Sequence, residues 1–555
     1  MTLRIKLKLS PKSDAMLLDV KKGTKIENIM LNYKGQYKYP VLLAKKDNEI
    51  VELTDKIYEE CEITMLDMTY PSVEFVYQRS LSLLYLKSIY DVLGEDDVVL
   101  GNSLNKGIYT EIKIGRPVTD EEISEIVSRM AELTKMNLPI EKEITEIDEA
   151  VDFLESIGQK RRTELLKNMK GNSEICFYSI DGFKDFFYGS MVPSTGYLEL
   201  FDVRKYKNGV LLRYPHRDSP DKIPEYKNEY MMYEAFREAA RWRNIIGLRY
   251  VNDLNGKIRA GKGKELIMLF EALQEKRVAQ LADTILKEKK RIILIAGPSS
   301  SGKTTFAQRL CIQLKVNGMS PIYLGTDDFF LERSQTPKDE DGKYDFENLR
   351  ALDIDLFNRD MNALLAGETV DLPIFDFVKD KKIFGKRITK AYPGQPIVIE
   401  GIHGLNEKLT ENIDSDEKFK IYISPLTTLG IDVHNRIPTT DSRLLRRIVR
   451  DNKFRGKSAK ATLSEWYKVR DGEKKNIFPF SGEADAFFNS NHSYEITILK
   501  KYAQPLLEEI GKDEPEYAEA RRLLEFLRFF DVMEDDSAVA NNSILREFIG
   551  GSVIV

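Results

Sequence analysis

The chain has 555 residues, too many for one ordinary core, and length alone predicts roughly three to four domains. Charged residues make up 31% and the apolar set 42%, the balance of a globular rather than a disordered protein. The net charge of -5 gives no bulk basicity for binding nucleic acid, although a local basic face stays open.

The N-terminal run MTLRIKLKLS alternates apolar and charged residues and reads as a strand, without the apolar block of a signal peptide. Residues 1–66 continue as a small α+β module. Gly23 precedes a short helical run, Ile26 to Leu31, and strands are expected at Val41 to Leu43 and near Ile63 to Leu66. Apolar spacing turns helical from Val73 to Leu93. A long α+β region then runs to about Asn255, with a strand EICFYSI and a loop at Pro193 to Gly196. Lys264 to Lys290 repeats its apolar residues at three and four without proline and predicts one amphipathic helix joining two halves.

At Arg291 the pattern changes. RIILIAG is a continuous apolar strand, followed by a glycine-serine loop and a helix from Lys303 to Val316 that Gly318 ends. PIYLG and PIVIEG are further buried-type strands with helical sequence between them, which predicts a doubly wound parallel sheet. From Glu508 onward the chain reads as helical, with an apolar stripe at Leu523, Leu524, Leu527 and Phe530 that favours packing. No stretch approaches ~18 uninterrupted apolar residues, so a membrane span is not expected. The three cysteines, Cys61, Cys176 and Cys311, have no disulfide or zinc spacing and fit a reducing cytoplasm, and four histidines argue against a histidine-built metal site.

Gly297-Pro298-Ser299-Ser300-Ser301-Gly302-Lys303-Thr304 is a complete GxxxxGK[ST] phosphate loop between a strand and a helix, with Thr305 following. Glycines let successive N–H groups converge on phosphate oxygens, and the helix N-terminus adds partial positive charge. Lys303 is expected at the β- and γ-phosphates of ATP and the Thr304 hydroxyl on Mg²⁺. The second strand runs into Thr326-Asp327-Asp328-Phe329-Phe330, where one carboxylate could take the proton of an attacking hydroxyl while the other assists magnesium. Glu400, at the end of PIVIEG, suits a metal-bound water. Arg443, Arg447 and Arg450 recur at i, i+4 and i+7, a face that can close over transferring phosphates or simply face solvent.

Together these residues resemble the uridine kinase and phosphoribulokinase family over about residues 288 to 500. The resemblance puts Asp327 at the general base and Asp345, in Tyr344-Asp345-Phe346, at the aspartate that holds ribose hydroxyls. Asp371-Leu-Pro-Ile-Phe375-Asp-Phe377 is similar to the segment lining the nucleoside pocket. Glu400-Gly-Ile-His403-Gly is closest to the phosphoribulokinase version, and Arg447, Arg450 and Arg455 fall on lid arginines. Phe375 stands where pyrimidine kinases carry a tyrosine, and Asp380 where they carry a base-reading histidine. Both changes remove specific hydrogen bonds and favour phosphoryl transfer over uridine itself as the firm expectation. His403 reads either as an acceptor-site residue or as a satisfied loop histidine.

Residues 1–66 resemble the TGS (ubiquitin-like, β-grasp) module of threonyl-tRNA synthetases. Through GIYTEI, MNLPIEKE and Val192-Pro-Ser-Thr-Gly196, the next region resembles their editing-type domain. Ser80, Leu84, Phe187 and Met191 replace that domain's histidine pair, cysteine and third histidine, so metal binding or deacylation is not expected there. The implied organisation is a module at 1–66, an editing-type α+β domain at 67–255, a connecting helix at 256–290, a P-loop kinase-like α/β domain at 291–505 and a helical tail at 506–555. The expected activity is ATP- and Mg-dependent transfer to a nucleoside. A sugar phosphate or other hydroxyl metabolite is the alternative acceptor, and a nucleotide-switched RNA- or ligand-binding regulator the alternative of another class. Oligomeric state is left open by the sequence.

Overall fold

The structure is a computed structural model that describes residues 1–94, 97–169, 174–338, 342 and 344–554. The strand Thr2–Lys8 alternates exposed and buried positions, with Leu3, Ile5 and Leu7 inward. It is the second strand of a five-stranded sheet ordered Met16–Lys21, Thr2–Lys8, Glu62–Asp67, Val41–Lys46, Glu49–Val51, in which only the pairing with Glu62–Asp67 is parallel. The helix Ile26–Asn32 buries Ile26, Ile29 and Met30 in the core of that sheet.

The helix Val73–Leu93 is buried on nearly every side because it is a core element, not a surface one. Around it lie an antiparallel four-stranded sheet (Asp202–Tyr206, Gly209–Arg213, Gly107–Ile112, Val98–Leu104) and a three-stranded one (Glu141–Glu146, Glu174–Ile180, Phe183–Phe186). The four positions read as a lost editing site are core positions. Leu84, Phe187 and Met191 are buried, and the Ser80 hydroxyl donates to the Val76 carbonyl (2.8 Å) and accepts from the Val192 N–H (3.0 Å).

In the second half, five parallel strands run in the order Ile322–Gly325, Ile397–Glu400, Ile292–Ala296, Lys418–Ser424, Ala486–Asn489. The strand Ile292–Ala296 is central and buried throughout. Ile293 and Ile295 face one apolar layer, with Phe306 and Leu310; Ile292 and Leu294 face the other, with Phe357 and Leu364. Alternation on a two-faced sheet explains why this strand reads as an uninterrupted apolar run. The strand order reverses direction around Ile292–Ala296, which opens a crevice at the carboxyl ends of the strands.

Two expectations change. The stretch from Glu508 is not continuously helical: its helices are Tyr517–Leu527 and Arg546–Ile549, with turns between them where Asp, Ser and Asn compete for backbone hydrogen bonds. The helix Gly263–Glu288 is more than a connector. Its first turns contribute Leu266, Ile267 and Phe270 to a core that also contains Leu154, Phe177, Leu445 and Leu523, and its last turns pack on the parallel sheet. The two halves therefore share one interior. A buried ionic group is set at their junction: Arg162 bonds Asp185 (2.5 Å) and Asp432 (3.3 Å), and the His434 ring contacts Asp185 at 2.6 Å.

Candidate active site

The phosphate loop leaves the central strand at Gly297 and enters the helix Lys303–Val316. Two glycines are sterically required. A Cβ on Gly297 would overlap the Ile423 carbonyl, and Gly302 combines a φ of +83° with direct packing against the Ile544 side chain. Ser300 holds φ +60°, and the hydroxyls of Ser300 and Ser301 are buried without a hydrogen-bond partner. Orphaned donors at a helix N-terminus are what a bound phosphate would satisfy, so the loop fits a nucleotide. Lys303 Nζ lies over the loop, donating to the carbonyls of Gly297 (3.1 Å) and Pro298 (3.4 Å).

Beside it, Thr304 Oγ1 donates to Glu400 Oε1 at 3.0 Å. Burial raises the Glu400 carboxyl above its ordinary range, with Lys303 opposing and Asp327 adding to the rise. Asp327 is open to the cleft on one side, yet desolvation by the surrounding protein raises it too, again against Lys303. Thr304, Glu400 and Asp327 thus form a set of hard oxygen donors next to one lysine, the chemistry that a divalent magnesium ion prefers. Asp328 is not available to assist such an ion. Its carboxylate is held by Arg387 (2.7 Å) and accepts from the Phe375 N–H (3.4 Å), so of the two aspartates Asp327 alone is free for chemistry.

The residues expected at an acceptor come next. Phe375 packs with Phe330 (centroids 5.9 Å apart) and Phe377 (5.0 Å), and Phe346 adds a ring 5.8 Å from Phe330. Phe377 is 63% exposed, an apolar surface left open at this position. Asp345 carboxylate oxygens accept from the Glu347 N–H (3.2 Å) and the Asn348 side chain (3.4 Å). His403 is 2% exposed; burial lowers its pKa to about 4, partly offset by the Glu347 backbone and Asp345, and the ring is neutral at ordinary pH. Neither ring nitrogen makes a hydrogen bond of ordinary length. Asp380 is paired with Arg333 at 3.0 Å, and the Arg333 guanidinium also lies 5.2 Å from the Tyr344 ring.

The arginine face divides. Within the helix Thr439–Arg455, Arg447 reaches the loop, donating to Ser299 Oγ at 2.8 Å. All three arginines pair with Asp451, Arg447 at 3.3 Å, Arg450 at 2.9 Å and Arg455 at 3.4 Å, and among the described residues neither Arg450 nor Arg455 has a hydrogen bond to the loop. Arg443 is no open phosphate clamp: it is buried, bonded to Glu473 and to the Ser299 carbonyl (3.0 Å). Arg446, outside the expected face, is fully buried against Glu495 (2.6 Å) and donates to the Ser300 carbonyl (3.3 Å). Sequence reasoning also missed Glu473, whose carboxylate accepts from the Ser299 N–H at 2.9 Å, and Glu547, which accepts from Thr305 Oγ1 at 2.6 Å. They lie 174 and 242 positions from their partners, and no local pattern marks them.

Residues 292–497 match the family described as Phosphoribulokinase / Uridine kinase family, so the C-terminal half carries a kinase-family domain. The N-terminal part is similar to threonine–tRNA ligases. The ligase of Paraburkholderia xenovorans (strain LB400) is 29% identical over 187 residues, 31% of this chain and 29% of the ligase. That of Azoarcus sp. (strain BH72) is 32% identical over 165 residues, 30% and 26% of the two chains. The chain spans less than a third of the length of these curated relatives. Among solved structures, one described as a possible uridine kinase from Bacillus stearothermophilus covers 38% of this chain and 97% of its own, at 21% identity and TM-score 0.26. D-glycerate 3-kinase from Cryptococcus neoformans var. grubii covers 49% and 88%, at 13% identity and TM-score 0.20. Among the described residues, no helix is long and apolar enough to cross a membrane.

Proposed function

We propose that this protein is an ATP-dependent kinase that phosphorylates the hydroxyl of a small acceptor, with a nucleoside of the uridine type as the first candidate. The observation that carries the proposal is the grouping of Lys303, the Thr304–Glu400 pair and the desolvated Asp327 at the mouth of one phosphate loop. Gly297 through Thr305 would hold the ATP phosphates, with Lys303 at the β- and γ-phosphates. Magnesium, held by Thr304, Glu400 and Asp327, would neutralise charge on the transferring phosphoryl group. Asp327 accepts the proton of the acceptor hydroxyl at a carboxylate oxygen. Arg447, already on Ser299, stabilises developing charge. Arg450 and Arg455 would serve only after leaving Asp451.

The rings of Phe330, Phe346, Phe375 and Phe377 offer a stacking surface for a planar base, and Asp345 lies where sugar hydroxyls would be held. The Arg333–Asp380 pair favours a second acceptor class, a sugar phosphate or other hydroxyl metabolite, because Arg333 could exchange that carboxylate for an anionic group. The catalytic unit comprises residues 291–505 with the C-terminal segment that packs on the loop through Ile544 and Glu547. The N-terminal sheet order and its helix Ile26–Asn32 support the ubiquitin-like assignment of residues 1–66. Cytoplasmic location belongs to the same proposal.

The test is an acceptor screen with ATP and Mg²⁺ on purified protein. Conversion of uridine or cytidine to the monophosphate, lost in Lys303→Ala, supports the first candidate. Turnover only with sugar phosphates selects the second. No turnover with either, together with salt-sensitive binding of tRNA, would favour a nucleotide-switched RNA-binding regulator instead.

A further inference from the structure

A cavity of about 510 Å³ lies where the synthetase-like half meets the loop leading into the helix Thr439–Arg455. Its size falls within the range of about 300–1,000 Å³ usual for small-molecule pockets. Of the four replaced editing positions only Phe187 reaches its wall; Ser80, Leu84 and Met191 do not line it. Ser72, Phe75, Gln78, Arg79 and Ser82 face it from one side of the helix Val73–Leu93, whereas Ser80 and Leu84 lie on an adjacent side. It is also separate from the phosphate loop, none of whose residues lines it.

Two guanidinium groups in its wall lack an ionic partner among the described residues. Arg79 donates only to the Ser190 carbonyl, from Nε (3.1 Å) and Nη2 (3.0 Å). Arg436 donates to Ser103 Oγ (2.5 Å) and Gln78 Oε1 (3.3 Å), and its Nε is buried without a partner. The other arginines of the wall are already compensated: Arg522 by Asp441 and Glu519, and Arg521 and Arg528 by Glu525. Glu52 acts on Arg79 from a distance, but its Oε1 is engaged by the Tyr178 hydroxyl (2.6 Å) and the Met191 N–H (3.1 Å). Glu174 lies on the lining but is exposed to solvent. Burial, and then the nearby Arg522, disfavour the charge on Arg79, the situation of a cation waiting for its anion. Phe75, Phe187, Tyr188 and Phe529 make much of the remaining wall apolar and aromatic.

We propose that this interdomain cavity is a binding site for a small organic anion, its carboxylate or phosphate held by Arg79 and Arg436 and its aromatic or apolar body against Phe75, Phe187, Tyr188 and Phe529. An arginine pair suits a planar or tetrahedral oxyanion, and the rings exclude water from the contact. The bound group would touch Arg436, three residues before the helix whose Arg443, Arg446 and Arg447 contact the phosphate loop. Binding here does not depend on what the kinase phosphorylates.

The experiment is calorimetric titration of the full chain with phenyl phosphate and, separately, phenylacetate; inorganic phosphate and phenol measure the anion and the ring alone. The expected result is one site for at least one of the two aryl anions. Its affinity should fall about tenfold or more in Arg79→Met and Arg436→Met, as for lost hydrogen bonds to a charged group, and stay unchanged in Lys303→Ala. Preference for phenyl phosphate or for phenylacetate distinguishes a phosphate from a carboxylate ligand. Should the arginine variants not fold, phenylglyoxal labelling of the unaltered protein replaces them, with protection of Arg79 and Arg436 by the bound aryl anion as the expected result. No binding of either compound, equal binding in the arginine variants, loss in Lys303→Ala, or labelling without protection would each overturn the proposal.

Discussion

The two halves of the molecule hold polar groups in opposite conditions. Around the phosphate loop, polar groups remain in a cleft with their chemistry unspent: Ser300 and Ser301 without partners, Asp327 desolvated, Lys303 resting on loop carbonyls. At Ser80, Leu84 and Met191, every group is consumed by packing, and the one hydroxyl is saturated within its own core. The difference teaches that a motif is worth only what its surroundings leave undone. A position whose bonds are all internal stabilises the fold, while one with unmet valences waits for a ligand.

The largest expected effect sharpens the first side. Lys303→Ala should lower turnover about a thousandfold, as for removal of a preorganised charge partner, with the melting temperature little changed. Leu84→Ala tests the other side, because a fully buried leucine removed from that core should destabilise by about 3 kcal/mol in denaturant titration. The Michaelis constants for ATP and acceptor should not move; a selective change in either would mean that the filled site still works.

Asp327→Asn is expected to lower kcat about a hundredfold. Because the carboxyl must be ionised to accept a proton and its pKa is raised, wild-type kcat/KM should fall as pH drops through a value above the ordinary carboxylate range. That acidic limb should disappear in the variant; a profile identical to the wild type would remove Asp327 from the base role. The smallest effect is at Phe377, where alanine should raise the acceptor KM several-fold and leave stability nearly unchanged, since the ring is mostly exposed.

Local order was legible because it is written in short periods. The helix Val73–Leu93, the strand Glu174–Ile180 and the strand–loop–helix at 292–316 fall where spacing predicts them. Asp327 and Glu400 were found because strand ends place them beside the loop. Illegible were the contacts that join distant segments: Glu473 on the Ser299 N–H, Arg446 on the Ser300 carbonyl, and the Arg162–Asp185–Asp432 group between the halves. A buried charge looks in sequence like any surface charge until its partner is known, which is why Arg443 reads as a clamp and proves to be a strut.

Ile544 against Gly302 carries a consequence for how the polypeptide can be divided. The sequence similarity to kinases ends at residue 497, yet the loop that defines them rests on a side chain nearly fifty residues further on. A gene fragment cut at the border of similarity would deliver the sheet and the glycines without the wedge that seats them. For this chain, the unit of inheritance and the unit of mechanical integrity have different ends.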